Sequence, residues 1–204
     1  MQVQAHTFRP RDLVAGHVAL DLVNTVTARN AEPIDWLDSY PRLLDWAELT
    51  GEFDRSALQA LRSASSADPG AAARALRRAK RLRETLHDIL VPITTGQAPG
   101  VALDQLDRLW KDAVRHAQLS VADGQARSQL RVDTSALDYL GHELALRATD
   151  LLRALPLART RVCAGPRCGW LFIDTSKGGR RRWCDMATCG NTAKTIRHRK
   201  RLRR

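Results

Sequence analysis

No apolar run in the sequence approaches the ~20 residues needed to cross a bilayer, so no membrane-spanning role is expected. Met1 to Pro10 is polar and lacks the apolar stretch of a secretory signal. A soluble cytoplasmic protein is the expectation. The chain also lacks a Cys-x-x-Cys redox pair, a nucleophile elbow and a phosphate-binding glycine loop. Scattered Asp and His residues do not assemble into a recognisable catalytic set, so the chain is not expected to be an enzyme. Cysteine is scarce: there are four in 204 residues, and none precedes position 163. Acidic residues are scarce at one end. Residues 158–204 hold only Asp174 and Asp185 against 14 Lys and Arg, a balance of +12 within a total of +11. The remaining residues, 1–157, therefore carry 19 basic and 20 acidic side chains, a balance of −1. A near-neutral body with one basic end implies that this end meets a polyanion.

What is present at that end is a pattern. Cys163 and Cys168 form one pair, and Cys184 and Cys189 form a second with the same internal spacing. Two matching pairs with no cysteine left over read as a site for one structural Zn2+ ion. Two disulfides are the alternative, and they require an oxidising compartment. With four thiolates on the ion no coordination position stays open, which argues against catalytic zinc. Gly165-Pro166 between the first pair is a tight turn, and Gly169 to Asp174 alternates as a strand with Trp170 and Phe172 on one side. Ser176 to Gly179 turns the chain, Arg180 to Trp183 is expected to return as a second strand, and a helix begins near Asn191. Knuckle, hairpin and helix describe a treble-clef-like zinc finger, with a zinc ribbon as the other possibility. Trp183, Trp170 and Phe172 are expected to pack a small core over the metal. The helix after Cys189 carries Lys194, Arg197, Arg199, Lys200, Arg201, Arg203 and Arg204 with little apolar surface, and Arg180, Arg181 and Arg182 add a second basic cluster. A helix basic nearly all round suits a groove lined by phosphates on both sides. The expected DNA contacts are Arg180, Arg181, Arg182, Lys194, Arg197, Arg199, Lys200 and Arg201. A solvated tail is the alternative.

The first 157 residues read as mainly α with one β-hairpin, an α+β arrangement. Helical spacing begins at His17, and His17, Asp21 and Asn24 share one polar face. That face is either a ligand pocket or a hydrogen-bonded stripe fixing the helix to its neighbours. Further helices are predicted from Pro41 to Gly51, from the N-cap Asp54 through Leu61, from Ala71 to Val91, from Leu103 to Ala117, and from Ser135 to Leu155. Ser63–Gly70 reads as a loop. Pro92 and Pro156 are expected to end their helices. Arg74, Arg77, Arg78, Arg81 and Arg83 read as the solvated face of the long helix. Leu119 to Val132 reads as a hairpin turning at Asp123-Gly124. Leu157 to Val162 is the joint, and its shortness suggests that the finger stays near the body. The division expected is a helical domain over 1–157 and a finger over 158–204.

At these residues the sequence resembles the CGNR zinc-finger family. The resemblance is carried by Cys163-x4-Cys168-x-Trp170-x-Phe172-x-Asp174-x-Ser176 and by Arg181-Arg182-Trp183-Cys184-x-Met186-x-x-Cys189-Gly190-Asn191. Ala19-Leu20-Asp21-Leu22-Val23-Asn24-Thr25-Val26 is similar to the ABATE domain that accompanies this finger. The resemblance implies a bacterial, stress-responsive transcription regulator that binds DNA through its finger, and it carries the zinc ligands onto the four cysteines. The partner expected from the basic helix is double-stranded DNA, and the expected location is cytoplasmic and nucleoid-associated. One position departs: Thr192 stands where the family has Arg. Three other readings stay open. The finger could grip a protein such as RNA polymerase or another transcription protein, it could bind RNA, or the body could bind a small-molecule effector.

Overall fold

The computed structural model describes residues 1–122, 124–154 and 157–202. The core is a layered set of helices: α1 (Val18–Val23), α2 (Tyr40–Thr50), α3 (Arg55–Ala67), α4 (Pro69–Thr94), α5 (Ala102–Arg115), α6 (Val132–Ser135) and α7 (Tyr139–Ala154). α1 is short and buried on every side, and it lies between α4 and α7. Its Leu20, Leu22 and Val23 pack with Leu43, Leu44, Leu82, Leu86 and Leu144 from the helices around it. Burying a leucine stabilises by roughly 1.5–3 kcal/mol, and this centre is almost all leucine and alanine. No helix among the described residues is long and apolar enough to cross a membrane.

Local signals set the helix ends. The Ser39 hydroxyl accepts the Arg42 N–H to start α2, and Gly51 closes it in the left-handed conformation at φ 69°. Asp54 caps α3 through the Ala57 N–H at 2.8 Å. The expected loop Ser63–Gly70 is instead helix: α3 runs through Ala67 and α4 restarts at Pro69. Ser65 and Ser66 return their hydroxyls to the Arg62 carbonyl and stay in the helix. Asp68 alone forms the junction, ending α3 with its N–H and capping α4 with its carboxylate. Pro69 follows at the first helical position, where a missing N–H costs nothing. Pro92 does not end α4, which continues to Thr94. It forfeits one hydrogen bond near the end, and Thr94 and Thr95 hydroxyls bond the Val91 and Pro92 carbonyls there.

The helix expected from Ser135 is broken at Ala136, whose φ is +48°. Two contacts hold the break. Tyr40 donates its hydroxyl to the Leu137 carbonyl at 2.7 Å, and Asp138 receives the Arg78 guanidinium. Leu155 and Pro156, expected at the close of this helix, lie outside the described residues, as does Asp123 in the expected turn. The hairpin itself is β4 (Ala117–Ala122) against β5 (Gln125–Leu130), antiparallel with Ala122 opposite Gln125.

A small sheet was not expected. β3 (Ile34–Asp35) lies between β1 (Gln2–Val3), to which it is parallel, and β2 (Val26–Thr27), to which it is antiparallel. Asp35 ties this sheet to α4. Arg83 donates to both its carboxylate oxygens at 2.7 and 3.0 Å, and Lys80 reaches it at 2.8 Å. Arg83 is 0% exposed, so it does not belong to a solvated face. It also bonds Thr25 and Glu84, and Glu84 receives Arg29 in turn. Burial pushes the Asp35 carboxyl up, but hydrogen bonds and charge from Arg83 and Lys80 dominate and hold it below the usual range.

Candidate metal centre and basic helix

The finger begins with β6 (Thr160–Val162), paired antiparallel with β7 (Leu171–Ile173). The residues expected as a joint thus supply a strand of the finger. Arg180 to Trp183 is not the second strand: β7 pairs with β6 in a two-stranded sheet, and 180–183 is irregular. That segment is held by the Asp174 carboxylate, which accepts the Arg181 N–H at 2.8 Å, and by the Ala164 N–H donated to the Arg182 carbonyl. The other Asp174 oxygen accepts the Ser176 N–H and hydroxyl, so one buried carboxylate shapes the whole return turn. These hydrogen bonds, led by the Ser176 hydroxyl, hold its carboxyl below the usual range.

Between β6 and β7 the chain makes the knuckle. The Gly165 and Cys184 N–H groups point at Cys163 Sγ, at 3.4 and 3.3 Å. A Cβ on Gly165 would come within 3.0 Å of Cys189 Sγ, so only glycine lets the second pair approach. Asp185 accepts the Thr188 N–H and starts a single π turn, Met186–Gly190, which carries Cys189 into position. α8 (Asn191–Leu202) follows without interruption.

All four sulfurs lie within 4.8 Å of one another, and Cys184 Sγ is 3.8 Å from both Cys168 Sγ and Cys189 Sγ. Zinc–thiolate bonds of about 2.3 Å in a tetrahedron place sulfurs about 3.8 Å apart. A disulfide requires about 2.05 Å, and all four cysteines are free. The site holds one structural zinc ion, with Cys163, Cys168, Cys184 and Cys189 completing its coordination. Without a cation the four thiols cannot all ionise. Hydrogen bonds from Cys168 and Cys184 pull the Cys163 thiol well below the usual range. Its sulfur then pushes Cys168 and Cys184 up, and burial raises Cys189. One divalent ion supplies the charge that lets all four be thiolates.

Trp183, Trp170 and Phe172 pack around the cysteines as expected. That small core is shared with the body, since Val14 and Trp36 belong to it and Trp36 meets Trp170 edge to face at 5.6 Å. Leu171 is part of the main core. Asn24 fixes the junction: its amide donates to the Leu171 carbonyl and its carbonyl oxygen accepts the Leu171 N–H, both at 2.9 Å. The Trp170 indole donates to the Val26 carbonyl, Ile173 N–H to Ala15, and Arg29 N–H to Cys168. Gly169 permits this approach with φ +74°, and its Cα side lies against the Asn30 backbone, 3.2 Å from where a Cβ would be. The finger is docked on the body.

The polar face His17, Asp21 and Asn24 is used internally. His17 accepts the Ala19 N–H as cap of α1, and Asp21 accepts the Ala15 N–H at 3.0 Å. Burial pushes the Asp21 carboxyl up to about 7.

The predicted DNA contacts divide. Arg181 is half-buried, its guanidinium 4.7 Å above the Phe172 ring and hydrogen-bonded to the Cys184 carbonyl. It braces the finger. Arg180, Arg182, Lys194, Arg197, Arg199, Lys200 and Arg201 are exposed, and among the described residues none has an acidic partner. α8 packs chiefly on the π turn from which it emerges. Even Ile196 is 37% exposed. Arg203 and Arg204 lie outside the described residues.

A family model described as "ABATE: Putative stress-induced transcription regulator" matches residues 16–155, more than half of the sequence. The chain belongs to the ABATE family. A second family model, CGNR zinc finger, matches residues 159–202. No curated protein matches the chain. In this ABATE protein the finger's motif residues have structural duties: Trp170 and Phe172 fill the shared core, Asp174 and Ser176 set the turn, and Arg181 braces it. Thr192 is exposed and bonds its hydroxyl to the Thr188 carbonyl at 3.0 Å. Sequence reasoning placed Asn24 on a hydrogen-bonded stripe but did not find its partner, Leu171, and it missed the Arg83–Asp35 pair. The Leu-Val-Asn-Thr segment was a signal for the first, because a side-chain amide amid apolar residues needs a backbone partner.

Proposed function

We propose that this ABATE protein is a non-enzymatic transcription regulator that binds duplex DNA through α8 and the exposed arginines of the finger, with the body coupling a signal to that contact. One observation carries the reading: the cations of α8 are exposed, have no acidic partner among the described residues, and start from a metal-fixed turn. A helix so charged is self-repelling in isolation, and phosphates on both walls of a major groove relieve that repulsion. The zinc-bound turn aims the helix, which separates it from a solvated basic tail. The test is duplex affinity of the zinc-loaded chain against salt. Neutralising about six phosphates gives a log–log slope of about −5, and changing Lys194, Arg197, Arg199, Lys200 and Arg201 to Gln should flatten it. Salt-insensitive binding, or none, would reject the reading. Single-stranded RNA and DNA competitors separate RNA recognition from duplex recognition.

A second reading rests on the shallow groove between knuckle and α8, floored by Ala164, Pro166, Ala193 and Ile196. Its apolar floor suits a peptide of the transcription machinery. Ile196→Asp should then abolish partner capture while the glutamine variant retains it.

A further inference from the structure

α4 and α5 enclose a groove of about 840 Å³ on the body. Arg78 and Arg81 from α4 face Gln105, Arg108, Asp112 and Arg115 from α5, and each set recurs at one helical period. The Thr85 hydroxyl, bonded to the Gln105 side chain at 3.3 Å, pins one end. Arg78 is neutralised by Asp138 and forms a fixed wall. Lys111 is occupied by Asp107 at 2.7 Å. Arg81, Arg108 and Arg115 are exposed and have no ion pair among the described residues. The one carboxylate lining the groove, Asp112, lies 3.5 Å from the buried His142 imidazole. Three free guanidiniums against one carboxylate are concentrated here, on a body whose balance is −1.

We propose that this groove binds a small organic molecule carrying two or more phosphate groups. Guanidinium forks match phosphate oxygens bidentately, and three of them around one concavity exceed what a single phosphate needs. The volume is that of a small-molecule site, and half-buried Leu109 offers an apolar surface for the rest of the ligand. A duplex presents a convex face and would touch only the rim. The site lies apart from the finger and does not depend on DNA binding.

The test is calorimetric titration of the zinc-loaded full chain with inorganic tripolyphosphate and with adenosine triphosphate. It is run in the background where Lys194, Arg197, Arg199, Lys200 and Arg201 are Gln, so that α8 does not contribute. Saturable one-to-one binding should persist there, and R81Q/R108Q/R115Q should weaken it by about tenfold or more, as expected for lost charge-assisted contacts. K111Q should change it by less than about threefold, its charge being already paired. Tighter binding of the nucleotide than of tripolyphosphate assigns the organic part a role. Absence of saturable binding in this background, or indifference to the groove substitutions, overturns the proposal. It is equally overturned if R81Q/R108Q/R115Q, in the otherwise unaltered chain, weakens duplex binding as much as the α8 substitutions do.

Discussion

Two helices in this molecule are rich in cations, and they meet opposite fates. α4 carries Arg74, Arg77, Arg78, Lys80, Arg81 and Arg83, and α8 carries Lys194, Arg197, Arg199, Lys200 and Arg201. In α4 the inner charges are consumed: Arg83 and Lys80 converge on Asp35, and Arg78 on Asp138. α4 also has a continuous apolar stripe, Leu76, Leu82, Leu86, Ile89 and Leu90, that places it in the core. Among the described residues the cations of α8 have no acidic partner, α8 has no buried apolar stripe, and it packs chiefly on the metal-fixed turn. Basic residues on a helix therefore indicate function only after the acids around them have been counted. On α4 that count leaves Arg74, Arg77 and Arg81 without an acidic partner among the described residues, and of these Arg81 faces Arg108 and Arg115. On α8 it leaves everything.

Removing the metal should widen the contrast most. Chelation, or Cys184→Ser, withdraws folding energy on the order of 10 kcal/mol from the finger. α8 should then lose its orientation and its protection from hydrogen exchange, while amides of α4 near Leu82 and Leu86 remain protected. Equal loss in both helices would mean that the docked finger is needed for the body to fold.

Next in size is the buried pair. Arg83→Met leaves the Asp35 carboxylate buried without its main partner, which should cost about 3–5 kcal/mol in urea unfolding. The five glutamine changes on α8 should alter stability by no more than about 0.5 kcal/mol. A large effect on α8, or a negligible one at Arg83, would invert the comparison.

Acid offers a subtler probe. Asp35 and Glu84 have folded-state affinities for protons below their unfolded values, 3.8 and 4.5, through their arginine partners despite the opposing effect of burial. Their contribution is fully present above those values and is lost as pH falls below about 4. Stability should decline in that range, and Arg83→Met should flatten the decline. The α8 variant should retain the parent's slope.

The candidate site was more legible than the body that holds it. The four cysteines, the knuckle at Gly165-Pro166 and the helix start at Asn191 all follow from spacing within thirty residues. The Leu171–Ile173 strand was visible as alternation, but its partner was misplaced because β6 lies before the first cysteine, in what resembled a linker. Asn24 bonds a backbone 147 positions away, and Arg83 finds Asp35 48 positions away. No local period encodes either. The two-residue strands β1, β2 and β3 are too short to show alternation, and Ser63–Gly70 misled because serines that commonly make turns here bond back into their own helix.

The central claim is that a zinc-aimed, unpaired α8 reads duplex DNA. It is tested most directly by selecting bound sequences from a random duplex pool with the zinc-loaded full chain, in parallel with the α8 glutamine variant. The account predicts an enriched motif for the parent chain and none for the variant. Enrichment of the same motif by both proteins would contradict it.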